Sequence, residues 1–203
     1  MNVLLVGPPG SGKGTQGERL ARCLGIEHIA AGDLLRAEVQ GATPLGEQVQ
    51  DYLQRGELVP DELVIDLLMP RVLEAADSGG YLLDGFPRSV GQAREARRLA
   101  ERNGFSADGV IYLDAPRDEL VNRILARAEA EGRSDDTAEV IRRRLGVFDE
   151  ATAPLIDYYR ERGLLRVVDA SRSADEVTVA ILAELGVDPD KVCPDLDFGT
   201  VIA

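Results

Sequence analysis

The chain has no tryptophan, one histidine, two cysteines and two lysines, and aromatic residues make up only 4% of it. Each scarcity narrows the field. Cys23 and Cys193 stand alone without metal-ligand spacing, so neither a disulfide framework nor a structural zinc site is expected, and a reduced cytoplasmic setting fits. His28, in the run Glu27-His28-Ile29-Ala30, has no acid or nucleophile paired with it in sequence and reads as a strand residue rather than a catalytic one. No apolar stretch approaches membrane-spanning length and no signal peptide precedes the first apolar run, so a soluble protein is expected. Basic charge is also in deficit. Against 36 acidic residues stand 23 lysines and arginines, and the net charge of −13 disfavours a nucleic acid or an acidic membrane as partner.

What the chain does have is a loop built around one of its two lysines, in the stretch Gly7-Pro8-Pro9-Gly10-Ser11-Gly12-Lys13-Gly14-Thr15. It follows the apolar run Val3-Leu4-Leu5-Val6 and precedes a helical pattern, the strand, turn and helix context of a phosphate-binding loop. Glycines let the backbone curl so that N–H groups point inward, and the following helix adds its free N–H groups and positive dipole end. The compact ammonium of Lys13 suits the outer phosphates as a mobile point charge, whereas the other basic residues are, but for Lys191, arginines. The loop reads as a nucleoside triphosphate site.

Short apolar runs alternate with longer amphipathic stretches. Strands are expected at Asn2 to Val6, Glu27 to Ala30, Tyr81 to Asp84, Val110 to Asp114 and Leu164 to Asp169. Helices are expected at Lys13 to Leu24, Asp61 to Ala76, Val90 to Asn103, Arg117 to Ala130, Thr137 to Arg162 and Ala174 to Leu185. The alternation predicts a doubly wound α/β domain. About fifty residues between Ala30 and Tyr81 are broken by glycines and prolines into short helices, an insertion projecting from the sheet. A second interruption, Glu129 to Asp136, separates two helical patterns and has the makings of a moving loop. From Val187 onward periodicity fades, and residues 188–203 read as a loose strap or a disordered tail.

Asp84 ends an apolar strand in Tyr81-Leu82-Leu83-Asp84-Gly85-Phe86-Pro87-Arg88, where a carboxylate can bind water around a magnesium ion held by phosphates. Together with Gly32-Asp33-Leu34-Leu35-Arg36, Gln92, Arg133-Ser134-Asp135-Asp136 and Thr152-Ala153-Pro154-Leu155-Ile156, these motifs resemble adenylate kinase, in the family's order over residues 1 to about 186. Gly14 between Lys13 and Thr15 departs from the generic phosphate loop in the way nucleoside monophosphate kinases do.

The resemblance implies a P-loop fold of five parallel strands flanked by helices, spanning residues 1–187, with a monophosphate-binding insertion at 30–59 and a short lid at 128–136. It implies that Gly10, Ser11, Gly12, Lys13, Gly14 and Thr15 bind ATP, together with Arg123, Arg127 and Arg172. Arg36 and Arg88 would grip the AMP phosphate and Gln92 would read its adenine. Ala31, Gly32, Glu57, Leu58, Val59, Gly85, Phe86 and Pro87 would line the AMP site. Arg133 and Arg144 would converge on the transferring phosphoryl group, with Lys13, Arg88 and Arg123 completing the catalytic set. Arginine's rigid fork suits such contacts, although any arginine of the run Arg142-Arg143-Arg144 reads equally as a solvated ion-pairing side chain.

The implied reaction is Mg-ATP plus AMP giving two ADP, by a cytoplasmic monomer, with no zinc because the lid is short. Asp135 and Asp136 fit either the ATP ribose or an ion pair with arginines. One departure matters. Ala30-Ala31 stands where adenylate kinases typically carry Ser-Thr, and UMP/CMP kinases often have alanine at the position of Ala31, while Gln92 has the donor and acceptor that match an adenine edge. A UMP/CMP kinase or other nucleoside monophosphate kinase is therefore the main rival, and a non-catalytic ATP-binding switch is the rival from another class.

Overall fold

In the computed structural model, which describes residues 1–131 and 137–193, five strands form one parallel sheet in the order β2-β3-β1-β4-β5. They are β1 Asn2–Val6, β2 Glu27–Ala30, β3 Tyr81–Asp84, β4 Gly109–Asp114 and β5 Leu165–Asp169, within a residue of the expected bounds. Apolar side chains alternate between the faces of β1 because successive residues point to opposite sides. Leu4 and Val6 join a core with Ile29, Leu83, Val110 and Leu155, while Val3 and Leu5 join another with Leu20, Leu82, Ile111 and Ile181. Burial on both faces explains why the strands read as continuous apolar runs rather than alternating ones.

Helix α1, Lys13–Leu24, follows the phosphate loop and packs on β3. The long connection after β2 holds three helices, α2 Ala31–Gln40, α3 Pro44–Arg55 and α4 Asp61–Asp77. Thr43 caps α3 by accepting from the Gly46 N–H, with Pro44 next to it in the first turn, where its missing N–H does no harm. Helices α5 Val90–Arg102 and α6 Arg117–Glu131 flank β4 in sequence. The connection leaving β1 runs to one side of the sheet and that leaving neighbouring β4 runs to the other. A crevice therefore opens at the carboxyl ends of these strands.

Two expectations need correction. The single helix over Thr137 to Arg162 is instead α7 Ala138–Val147, a π-helical turn at Phe148–Thr152 and α8 Pro154–Arg160. Pro154 has no N–H to give and its ring crowds the carbonyl four residues back, so the regular ladder cannot run through it. The second correction concerns the cysteines, which are joined as a Cys23–Cys193 disulfide with Cα atoms 4.9 Å apart. After α9, Ala174–Glu184, the chain makes a short helix α10, Pro189–Val192, and brings Cys193 back against α1. The 170-residue separation hid this pairing, and the strap is folded at least through the buried Cys193. No helix among the described residues is long and apolar enough to cross a membrane.

Candidate active site

The parallel register puts the carboxyl ends of β1, β2 and β3 side by side, with Leu5 opposite Asp84 and Asp84 opposite Ala30. Above them lies a cleft of about 1010 Å³. Its floor is the phosphate loop. Gly10 turns there with φ +84°, and a Cβ on it would stand 2.5 Å from the Leu120 carbonyl oxygen, so the backbone reaches this path only without a side chain. Gly12 caps α1 in the left-handed conformation, leaving the first N–H groups of the helix toward the cleft. Ser11 is 2% exposed and its hydroxyl has no protein partner among the described residues, as a loop shaped to bind phosphate requires. Lys13 Nζ donates to the carbonyls of Gly7 and Pro8 at 2.9 and 3.0 Å, holding the ammonium over the loop.

Asp84 sits beneath the junction of loop and helix, where a Cβ on Gly14 would come within 4.0 Å of its Oδ2. Burial pushes its carboxyl above the usual carboxylate range, against the pull of Lys13, His28 and Arg88. A buried carboxylate facing a phosphate loop fits magnesium held through water and phosphate oxygens. His28 lies on β2 as expected. Sequence gave it no acid, yet its Nε2 is 4.0 Å from Asp84 Oδ2, a pairing created by the β2–β3 register.

The opposite wall carries a second group of cations. Arg36 on α2, Arg88 after β3 and Arg144 on α7 all line the cleft. Crowding by protein pushes the proton affinity of Arg88 down; Asp84 opposes this, and Arg144 and Arg36 reinforce it by repulsion. Three guanidiniums gathered so closely make a site for an anion. Each is held. Arg88 Nε donates to the Gly85 carbonyl at 2.8 Å, and Thr152, in the π turn, donates to the Arg88 carbonyl at 2.8 Å. Arg36 pairs with Asp33.

At the loop end, Arg123 on α6 donates to the Ala170 carbonyl at 2.8 Å and pairs with Glu119, while Arg172 pairs with Asp169 at 3.3 Å. Both line the cleft, as do Gly32, Glu57, Leu58, Gly85, Pro87 and the loop from Gly10 to Thr15. Glu57 also pairs with Arg143 and, at 3.2 Å, with Arg55.

Four of the expected residues, Ala31, Val59, Phe86 and Gln92, do not line the cleft and are 5% exposed or less. Phe86 packs in the core that includes Leu83 and Leu155. Arg127 lies on α6, with its side chain outside what the structure describes, and Arg133, Asp135 and Asp136 fall outside the described residues. Sequence reading missed the supporting shell of Asp33, Asp61, Glu119, Thr152 and Asp169. Asp33 and Thr152 had a signal, each as part of a quoted motif without a role.

A profile of the adenylate kinase family matches residues 5–164, taking in the loop, Asp84, the three cleft arginines and the π turn. This chain belongs to the adenylate kinase family. It is 47% identical over 185 residues to the adenylate kinase of Thermus thermophilus, covering 91% of this chain and 97% of that protein. It is 46% identical over 183 residues to the adenylate kinase of Kocuria rhizophila, covering 90% and 97%. Over 186 residues it is also 46% identical to the adenylate kinase of Xanthomonas campestris pv. campestris, covering 92% of this chain and the whole of that one. Family membership makes the chain a phosphotransferase, which removes the non-catalytic switch as a reading.

Proposed function

We propose that this enzyme transfers the terminal phosphoryl group of ATP to AMP, reversibly and with magnesium, giving two ADP, in the service of adenine nucleotide homeostasis and salvage. The observation that carries the reading is the presence of two anion sites in one cleft: the phosphate loop with Lys13, and the cluster of Arg36, Arg88 and Arg144 across from it. A protein that bound only a triphosphate would have no use for the second.

In this reading the loop from Gly10 to Thr15 holds the ATP phosphates, with Arg123, Arg127 and Arg172 along the nucleotide. Arg36 and Arg88 grip the AMP phosphate. Ala31, Gly32, Glu57, Leu58, Val59, Gly85, Phe86 and Pro87 form the AMP site, and Gln92 reads the base from beneath it. When bound with ATP, magnesium neutralises charge on the phosphate oxygens, and Asp84 is the residue suited to hold it through water. An AMP phosphate oxygen is already anionic near neutral pH, so no general base is needed. Lys13, Arg88, Arg123, Arg133 and Arg144 align the reactants and offset the charge spread over the equatorial oxygens in transfer. The insertion 30–59 and the lid 128–136 close over the nucleotides to keep water, the competing acceptor, away. The working unit is the domain 1–187 followed by the tail 188–203, acting as a cytoplasmic monomer on small nucleotides, with neither nucleic acid nor membrane as partner and no zinc.

One observation favours a second reading. Ala31 offers no hydroxyl at the acceptor side, as in kinases of UMP and CMP. ADP formation under saturating ATP, compared with AMP, UMP, CMP and dAMP, separates the two. A preference for AMP is expected. Faster turnover with UMP or CMP would move the enzyme to the pyrimidine acceptors.

A further inference from the structure

The amide of Gln92 lies between two partners that cannot exchange roles. Its Oε1 accepts from the backbone N–H of Arg88 at 2.7 Å, and its Nε2 donates to Asp61 Oδ1, also at 2.7 Å. An amide looks nearly the same either way round, so only its neighbours define which end is which. Here they do so fully. A peptide N–H can only donate and a carboxylate can only accept, so turning the amide over would set donor against donor and acceptor against acceptor. Gln92 is 2% exposed, so losing either partner would leave a buried polar atom unsatisfied.

After these bonds the amide keeps one lone pair on Oε1 and one hydrogen on Nε2. That pair matches the edge of a 6-aminopurine, whose N6 donates and whose N1 accepts. A 6-oxopurine presents the reverse, an acceptor at position 6 and a donor at N1. The turned amide would suit the wrong base.

We infer that Asp61 is a positioning residue for acceptor specificity: by fixing the orientation of the Gln92 amide it makes the enzyme select a 6-aminopurine monophosphate over a 6-oxopurine one. The inference rests on the proposed reading that Gln92 meets the acceptor base. Asp61 is well placed to be coupled to that base. It is the first residue of α4, two positions after Val59 in the segment that forms the proposed base pocket, and Gln92 is in the first turn of α5. The hydrogen bond thus ties the start of one helix to the start of the other, across 31 positions of sequence. The Arg88 N–H alone holds only one end of the amide, so without Asp61 the turned form loses a single bond rather than two.

AMP and IMP differ only at the 6-position and its proton partner, which makes their kcat/KM ratio the measurement. In Asp61→Asn and Asp61→Ala the AMP:IMP ratio should fall by on the order of tenfold, with KM for AMP raised and KM for ATP unchanged, because a charge-assisted bond that fixed the amide is gone. Combined with Gln92→Ala, the Asp61 substitutions should have no further effect on the ratio. If Gln92→Ala lowers the ratio while Asp61→Asn and Asp61→Ala leave it unchanged, the inference is overturned and the base-reading role of Gln92 stands. If Gln92→Ala itself leaves the ratio unchanged, the base-reading role fails and the inference with it. A merely structural role for Asp61 at the helix start would lower Tm and activity with both acceptors alike, and that equal loss would also overturn the inference.

Discussion

Asp84 answers to two demands at once. Buried at the strand end, it costs the folded protein stability when ionised, and the same buried charge is what suits it to hold a cation by way of water. The unfolded chain gives up this proton in the ordinary carboxylate range and the folded chain only at higher pH. Stability therefore falls as pH climbs from the first value to the second, and stays low beyond it. Asp84→Asn removes that loss. The unliganded variant should melt higher than the parent protein at pH 7, and magnesium-dependent turnover should drop about 10–100-fold. A melting temperature that stays level or falls would mean that Lys13, His28 and Arg88 outweigh burial. At this scale sequence was informative where one residue carries its own signal, as Lys13 in its loop and Asp84 at the end of an apolar run do. It was silent on Asp61, Glu119 and Asp169, ordinary acids until folding brings a specific amide or guanidinium to each.

The contact between α1 and the sheet depends on the missing side chain of Gly17. A Cβ there would lie 2.3 Å from His28 Nε2, so a glycine that weakens the helix by its backbone freedom is kept where the imidazole passes beneath. Gly17→Ala should destabilise the protein by about 1–3 kcal/mol through overpacking, read as a lower urea midpoint. In a His28→Ala background the same change should be neutral or mildly stabilising, since alanine is the better helix former. Additive losses in the double variant would place the strain elsewhere. The elements themselves were legible because apolar runs and helical periodicity are local properties. The break between α7 and α8 was only half legible: Pro154 announces an interruption, but the π turn that aims Thr152 at the Arg88 carbonyl is selected by a partner 64 positions away.

Across the whole molecule, an acidic protein gathers Arg36, Arg88, Arg123, Arg144 and Arg172 in one cleft and its apolar side chains on two faces of one sheet, and both arrangements follow from the order of strands. The disulfide was outside the reach of sequence, since nothing near either cysteine marks the other as its partner. Its loop spans 170 positions, for which chain entropy alone gives about 5 kcal/mol of stabilisation. Cys23→Ser or Cys193→Ser should therefore lower the unfolding free energy, read from the fall in urea midpoint, by an amount approaching that figure and leave phosphoryl transfer at 25 °C within about twofold, because neither cysteine lines the cleft. A midpoint equal to that of the parent protein in oxidising buffer would show that the bond adds no stability.

The same bond changes the connectivity of the molecule. Between residues 23 and 193 any two points are joined by two covalent routes, one through peptide bonds and one through sulfur, and the insertion, the lid and four of the five strands all lie on this ring. A protease that cuts the chain once anywhere along it opens a circle without releasing a fragment. Such a nicked molecule keeps its mass until a reductant is added, and its severed ends stay tethered at high effective concentration, ready to meet again.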